Sequence, residues 1–203
     1  MNDVATTRAV PRKESGRPML TPETWISAAI ERLMLYGVDS IRVDVLAKEM
    51  SVTRGSFYWH FKDRDELLRR VLKAWQDGAT EALIAKFEEQ HHEEPLLLVK
   101  DLLSLPFRGR AAKRAASIEL AIRAWARSDE TARQAVEDVD SRRIAYIAQV
   151  FSALGFGIKD ARSRAFALYA YTVTESLLTG QGSEAQSTER SAFMEKMLLS
   201  VPK

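Results

Sequence analysis

The run Thr53-Arg-Gly-Ser-Phe-Tyr-Trp-His-Phe61, with Lys62 after it, gathers side chains suited to a polyanion that carries readable base edges. Arg54 offers the planar fork of donors that pairs bidentately with O6 and N7 of guanine, the commonest specific contact to DNA. Thr53 and Ser56 carry hydroxyls that bond to bases or phosphates, and Gly55 lets a backbone come close. Tyr58, His60 and Lys62 can donate to phosphate oxygens, which fixes register without reading sequence. Phe57 and Phe61 lie four apart and share one helical face, so the spacing predicts that they turn inward. Thr53, Arg54, Gly55, Ser56, Tyr58, Trp59 and His60 then form the outward face.

That face needs elements to hold it. Thr21-Pro22-Glu23 reads as a helix start, with Thr as N-cap, Pro at the first position and Glu at the positive end of the dipole. Ile26, Ile30, Leu33 and Met34 follow at helical spacing and Gly37 is a stop, so a first helix is expected over Pro22 to Tyr36. A second, shorter helix is expected over Val43 to Met50 with Leu46, Ala47 and Met50 inward. Ser51-Val52 then forms a turn, and a third helix runs from Thr53 to His60 or Phe61. Two short helices joined by a tight turn have the geometry of a helix-turn-helix, packed through Leu46, Ala47, Val52, Phe57 and Phe61. Lys62-Asp63-Arg64-Asp65 interrupts the apolar pattern. A long helix with Leu67, Leu68, Val71, Leu72 and Trp75 follows and extends toward Phe87.

The stretch Leu46-Ala47-Lys-Glu-Met50-Ser51-Val52-Thr53-Arg54-Gly55-Ser56-Phe57-Tyr58-Trp59-His60-Phe61-Lys62, followed by Asp65-Glu66-Leu67-Leu68, strongly resembles the TetR family of bacterial repressors (TetR/AcrR-like). The resemblance is tight over Ala28 to Leu72. It is looser in Ala124-Trp125-Ala126-Arg127, Val136 to Arg143 and Leu154-Gly155-Phe156. It implies an all-α homodimer. An N-terminal three-helix DNA-binding domain with the helix-turn-helix would join a C-terminal helical ligand-binding and dimerisation bundle. By position, Thr53, Arg54, Gly55 and Trp59 would face bases, and Ser56, Tyr58, His60 and Lys62 would hold phosphates. Two positions depart from the family's pattern. Ser51 stands where the turn normally carries Gly, and a left-handed residue other than Gly costs about 1 kcal/mol. Arg42 stands near the usual Ser or Thr cap of helix two; it cannot N-cap, but it can reach a phosphate.

The 203 residues divide into a flexible basic arm (1–20), the helix-turn-helix domain (21–66) and a ligand-binding and dimerisation domain (67–203). The arm carries Arg8, Arg12, Lys13 and Arg17 and reads either as a tail or as a segment that touches phosphates or a minor groove. Net charge is only +2. Residues 1–75 hold 13 Lys/Arg against 10 Asp/Glu, and the remainder holds 17 against 18, a weak asymmetry in favour of a polyanionic partner. Cysteine is absent, which excludes disulfides, thiolate metal sites and cysteine nucleophiles. No apolar run approaches the roughly 18–20 residues that cross a bilayer, and Met1 to Leu20 has no signal-peptide core, so a cytoplasmic location without membrane contact is expected. His91-His92-Glu93-Glu94 reads as a solvated loop, because adjacent histidines point about 100° apart, and no metal is assigned. Glu137, Asp138 and Asp140 read as a charged outer helix face with Arg142 and Arg143 at pairing distance. No nucleophile–base arrangement or phosphate-cradling loop is visible, so neither an enzyme nor a cofactor is expected.

Helices over Thr131 to Leu154 and Asp160 to Thr179 carry apolar residues on more than one side. The first has Val136, Val139, Ile144, Ile147, Val150, Phe151 and Leu154; the second has Phe166, Leu168, Tyr169, Val173, Leu177 and Leu178. A second apolar stripe needs a partner, and two such helices from each subunit make a four-helix dimer interface. A palindromic double-stranded operator, a homodimer and a small-molecule effector are the expected partners. Phe107, Trp125, Tyr146 and Tyr169 are the candidate ligand contacts. The competing reading is an effector-independent or architectural DNA-binding protein.

Overall fold

A computed structural model describes residues 20–91, 94–178 and 182–200. The basic arm, apart from Leu20, and His92-Glu93 lie outside these residues. The described secondary structure is helical throughout. Helix α1 spans Pro22–Tyr36, with Pro22 in its first turn and the Thr21 N–H donating to Thr24 Oγ1 (3.3 Å). Gly37 ends it at φ 77°, a left-handed value that glycine adopts without strain. A short 3₁₀ turn, Val38–Ser40, leads to α2 (Val43–Glu49), then α3 (Arg54–Phe57) and α4 (Arg64–Gln76).

The third helix is shorter than the sequence pattern predicts. Its α-helical part stops at Phe57, and residues 58–60 form a turn. The Phe57 carbonyl accepts from both His60 N (3.0 Å) and Phe61 N (3.0 Å), so the last turn tightens. Tightening is what brings the chain to Asp63, whose side chain caps α4 by accepting from Glu66 N (2.8 Å).

Helix α4 passes through a π turn, Asp77–Glu81, into α5 (Ala82–His91). The long helix foreseen toward Phe87 therefore runs as two α segments with one π insertion between them. Beyond it lie α6 (Pro95–Ser104), a 3₁₀ turn (Leu105–Phe107), α7 (Gly109–Trp125), α8 (Glu130–Ala153), α9 (Ile158–Leu177) and α10 (Glu184–Leu199).

Two apolar cores run through these helices. In the first, Trp25, Ala29 and Leu33 of α1 pack with Leu46 and Ala47 of α2, Phe57 of α3, Phe61 beyond the turn, and Leu67, Leu68, Val71, Leu72 and Trp75 of α4. Ile122 and Trp125 of α7 and Ala132, Ala135, Val136 and Val139 of α8 close it. In the second, Phe87 and Leu98, Leu102 and Leu103 of α6 pack with Ile147, Val150 and Phe151 of α8 and with Ala161, Ala165 and Leu168 of α9. Helix α8 thus serves the first core with its N-terminal half and the second with its C-terminal half. Polar links fix the outer helices. Arg114 of α7 pairs with Glu31 of α1 (2.5 Å), and buried Arg164 donates to the Met197 and Leu198 carbonyls and to Ser200 O (2.8 Å), where α10 leaves its last carbonyls unbonded.

The two-sided apolar pattern expected on the C-terminal helices divides unequally. On α8, Val136, Val139, Ile147, Val150 and Phe151 are all buried within the subunit, and Ile144 and Leu154 are half-buried. Its outward residues include the small Ala145, Ser152 and Ala153. On α9, Leu168 and Tyr169 are buried, whereas Phe166 (64% exposed), Ala170 and Leu177 face out. A helix held between two cores uses its apolar residues on both inside the subunit, which is why α8 has no second large-residue stripe.

Candidate functional site

The outward surface of residues 53–62 is built by a small number of local devices. Helix α2 ends in a Schellman arrangement: Val52 N donates to Ala47 O (2.9 Å), and Ser51 N donates to Lys48 O (3.1 Å). Ser51 occupies the left-handed position at φ 55°, so the departure from glycine does carry strain. The turn swings α3 back onto α2, and Phe57 then drops into the first core. Its ring lies edge-on to Trp25 (5.3 Å) and stacks on Phe61 (5.1 Å).

With the two phenylalanines buried, the rest of the run is displayed. Thr53, Arg54, Gly55, Tyr58, Trp59 and Lys62 are exposed, and Ser56 and His60 are half-buried. Trp59 is 86% exposed, a large apolar surface left in water. Ser56 Oγ donates to Thr53 O (2.7 Å), which locks its rotamer while its lone pairs stay available. Thr53 is the N-cap by position, but its side chain makes no capping bond and its hydroxyl is left for another use. A Cβ added at Gly55 would meet only Thr53 Oγ1 at 3.7 Å, an ordinary contact, and Gly55 has no positive φ. Nothing within the subunit therefore requires glycine there; what its absence of side chain offers is access to the backbone from outside. Arg42 is exposed and forms a two-point pair with Asp44 (3.1 and 3.3 Å), so its guanidinium sits beside a carboxylate at the start of α2.

Two residues that hold this surface in place escaped the sequence reading. Arg64, in what looked like a charged interruption, donates from Nε to Ile41 O (2.6 Å) and from Nη2 to Val38 O (2.8 Å). It clamps the start of α4 to the chain entering α2. Glu66 accepts from Lys62 N (2.7 Å) and from Arg70 (2.7 Å), and these bonds hold its carboxyl below the usual carboxylate range. Both residues lie within Ala28 to Leu72, where the resemblance is tight, but what betrays their roles is their hydrogen bonds to Val38, Ile41 and Lys62.

A second candidate site is a cavity of about 200 Å³ between α5, α7, α8 and α9. Tyr146 and Tyr169 line it; Phe107 and Trp125 do not. Phe107 is 42% exposed in the 3₁₀ turn, and Trp125 is buried in the first core. The apolar wall includes Leu83, Phe87, Ile147 and Leu168, and one side is strongly polar. There Arg123 pairs with Glu119 (2.8 Å) and Asp140 (2.5 Å), and Arg143 pairs with Glu119 (2.9 Å). Tyr169 Oη donates to Asp140 Oδ1 (2.5 Å) and accepts from Arg123 (3.0 Å) and Arg143 (3.2 Å). Burial and the neighbouring carboxylates push the Tyr169 hydroxyl up to about 12, although Arg143 opposes them, so it keeps its proton. Asp140 and Arg143 thus belong to an inner network, not to the charged outer face expected of them; Arg142, on the outside, pairs with Glu81. Their partners come from α7 and α9, and local charge spacing on α8 does not reveal them.

Among the described residues there is no cluster of three or more His, Cys, Asp or Glu placed to hold a metal ion, and no helix long and apolar enough to cross a membrane.

Comparison with known proteins places the displayed surface in context. Residues 26–71 match the family described as bacterial regulatory proteins, tetR family. The transcriptional regulator TtgW of Pseudomonas putida is 37% identical over 65 residues, 32% of this chain and 48% of that protein. AcrR of Shigella flexneri is 27% identical over 92 residues, 45% of this chain and 42% of that protein. The chain thus spans less than half the length of the curated relatives it matches. The likeness in fold extends much further. A transcriptional regulator from Rhodococcus sp. Rha1 superposes with a TM-score of 0.70 at 21% identity, covering 90% of this chain and all of that one (100%). The regulator FadR from Bacillus subtilis, solved in complex with stearoyl-CoA, gives 0.60 at 19% identity over 88% of this chain and 98% of that one. Residues 26–71 thus match the tetR family of bacterial regulatory proteins, and the all-α architecture of the chain is shared with regulators of known structure.

Proposed function

We propose that the chain is a homodimeric transcriptional repressor that holds a palindromic operator in double-stranded DNA and is released by a small-molecule effector. The displayed surface of residues 53–62 carries this reading: side chains suited to bases and phosphates stand out in water around a buried Phe57–Phe61 anchor. Thr53, Arg54, Gly55 and Trp59 face the bases of a major groove, and Ser56, Tyr58, His60 and Lys62 hold phosphates. Arg42 reaches a phosphate while its other edge stays on Asp44. Two such surfaces, related by a twofold axis, would meet half-sites about 34–36 Å apart. The out-facing Phe166, Ala170 and Leu177 on α9, beside the small residues of α8, favour those two helices as the subunit contact.

The cavity beside Tyr146 and Tyr169 is the proposed effector site. An effector there acts by linkage: it must bind the DNA-incompetent arrangement of the dimer more tightly than the competent one.

Selection from a random duplex pool, followed by titrations of variants, tests the DNA reading. Arg54→Ala is expected to flatten preference at one base pair, by about 1–3 kcal/mol. Lys62→Ala weakens all duplexes alike and lowers the slope of log affinity against log salt by about 0.9. Wild-type specificity in the first variant and an unchanged slope in the second would remove these residues from the interface.

A further inference from the structure

Hydroxyls on helices commonly bond to the carbonyl one turn back. Here Ser117 donates to Lys113 O (3.0 Å), Ser163 to Lys159 O (3.0 Å), Ser176 to Thr172 O (2.8 Å) and Thr188 to Glu184 O (2.9 Å). Thr80 departs from this pattern. It lies in the π turn Asp77–Glu81, where helical registry is broken, and it is 1% exposed. It lines the cavity, and its Oγ1 has no hydrogen-bond partner. A buried hydroxyl without a partner is destabilising, and folded proteins contain few of them. Thr80 is a lining residue of the cavity, so a partner that is not part of the chain would reach the hydroxyl from that side.

The charges around the same cavity are balanced. Glu119, Arg123 and Arg143 line it, and Asp140 pairs with Arg123. The two guanidinium groups and two carboxylates sum to zero, with Tyr169 protonated between them. A ligand of net charge would enter a mostly apolar, partly open cavity whose ionic groups already have counter-charges, and it would lose part of its own hydration. A neutral molecule avoids that loss.

We infer that the cavity takes a neutral, largely apolar molecule bearing one hydrogen-bonding amide, carbonyl or hydroxyl group, and that Thr80 Oγ1 is the partner of that group. The inference rests on the reading that the cavity receives the effector. Thr80 occupies the turn that joins α4 to α5, so the contact falls on the same length of chain whose other end carries the Arg64 clamp.

Calorimetric titration of the full chain with octanamide, octanoate and octylammonium, three probes of one chain length, tests it. The amide is expected to bind about tenfold tighter than either ion. Thr80→Val, close to isosteric, should weaken amide binding about fivefold to tenfold while leaving the ligand-free melting temperature unchanged or higher, since only an unpaired hydroxyl is lost. Thr80→Ser should retain most of the affinity. Equal binding of the amide by the wild type and Thr80→Val, tighter binding of an ion, or a lower melting temperature for Thr80→Val would each overturn the inference. If charged and neutral probes bound equally, the effector site would stand and the assigned chemistry would fall. If none bound, the effector reading itself would fail and take the inference with it.

Discussion

Replacing Arg64 by alanine removes two hydrogen bonds from a charged donor to backbone carbonyls, at 2.6 Å to Ile41 O and 2.8 Å to Val38 O. Bonds to charged groups contribute about 1.5–3 kcal/mol each. Arg64 is half-buried, so water can replace part of what is lost, and the lower end of that range applies. The expected loss is about 3 kcal/mol for the pair, and a chain of this size would melt roughly 6–12 °C lower. Arg64→Lys supplies one point donor in place of a fork, so it should recover about half. Urea unfolding of the three proteins measures this directly. The second consequence is functional. Arg64 fixes the approach to α2, so the alanine variant should bind duplex DNA more weakly at a temperature where it is fully folded. A loss below about 0.5 kcal/mol would refute the reasoning, because the two carbonyls would then have been satisfied equally well by solvent. Normal stability loss with unchanged DNA affinity would show that α2 keeps its place without the clamp.

Two further perturbations address the turn and the assembly. Ser51→Gly relieves a left-handed side chain at φ 55° and should stabilise the protein by up to about 0.5 kcal/mol after the greater freedom of glycine in the unfolded chain is counted; thermal melting would show a small rise, and a fall would mean that the Ser51 backbone is not strained. Phe166→Glu places a charge at the centre of the proposed α9 contact and should convert the proposed dimer to a folded monomer in sedimentation velocity at micromolar concentration; a persisting dimer would move the interface elsewhere.

The sequence carried most of the N-terminal architecture because the information there is local. Thr21-Pro22 and Gly37 bound α1 at Pro22 and Tyr36, as read. The four-residue spacing of Phe57 and Phe61 told which side of the run would be buried, and both rings are. The length of α3 was not legible, since Tyr58, Trp59 and His60 are as compatible with a helix as with the turn they form. What ended the helix was the need to deliver Asp63 to the start of α4, a requirement of packing rather than of propensity.

Farther along, pattern and structure part company. Apolar spacing on α8 revealed a helix but not that its two halves would serve two cores inside one subunit, because a periodic stripe says nothing of how many neighbours it meets. Aromatic residues were the visible candidates for ligand contact. Tyr146 and Tyr169 reached the cavity, whereas Trp125 joined the first core and Phe107 a surface turn. The inner charge network was decided by tertiary structure alone. Asp140 meets Arg123 across 17 positions and Tyr169 across 29, and Arg143 meets Glu119 across 24. A charge read on its own helix has only local partners in view, and solvent is the default for the rest. Folding set these groups against one another partly out of solvent, where each gains from an opposite charge, and left the Thr80 hydroxyl without a partner along the same cavity. Local sequence thus determined the helix-turn-helix and its exposed residues. The meeting of α5, α7, α8 and α9 determined the cavity, because its chemistry exists only where four distant segments converge.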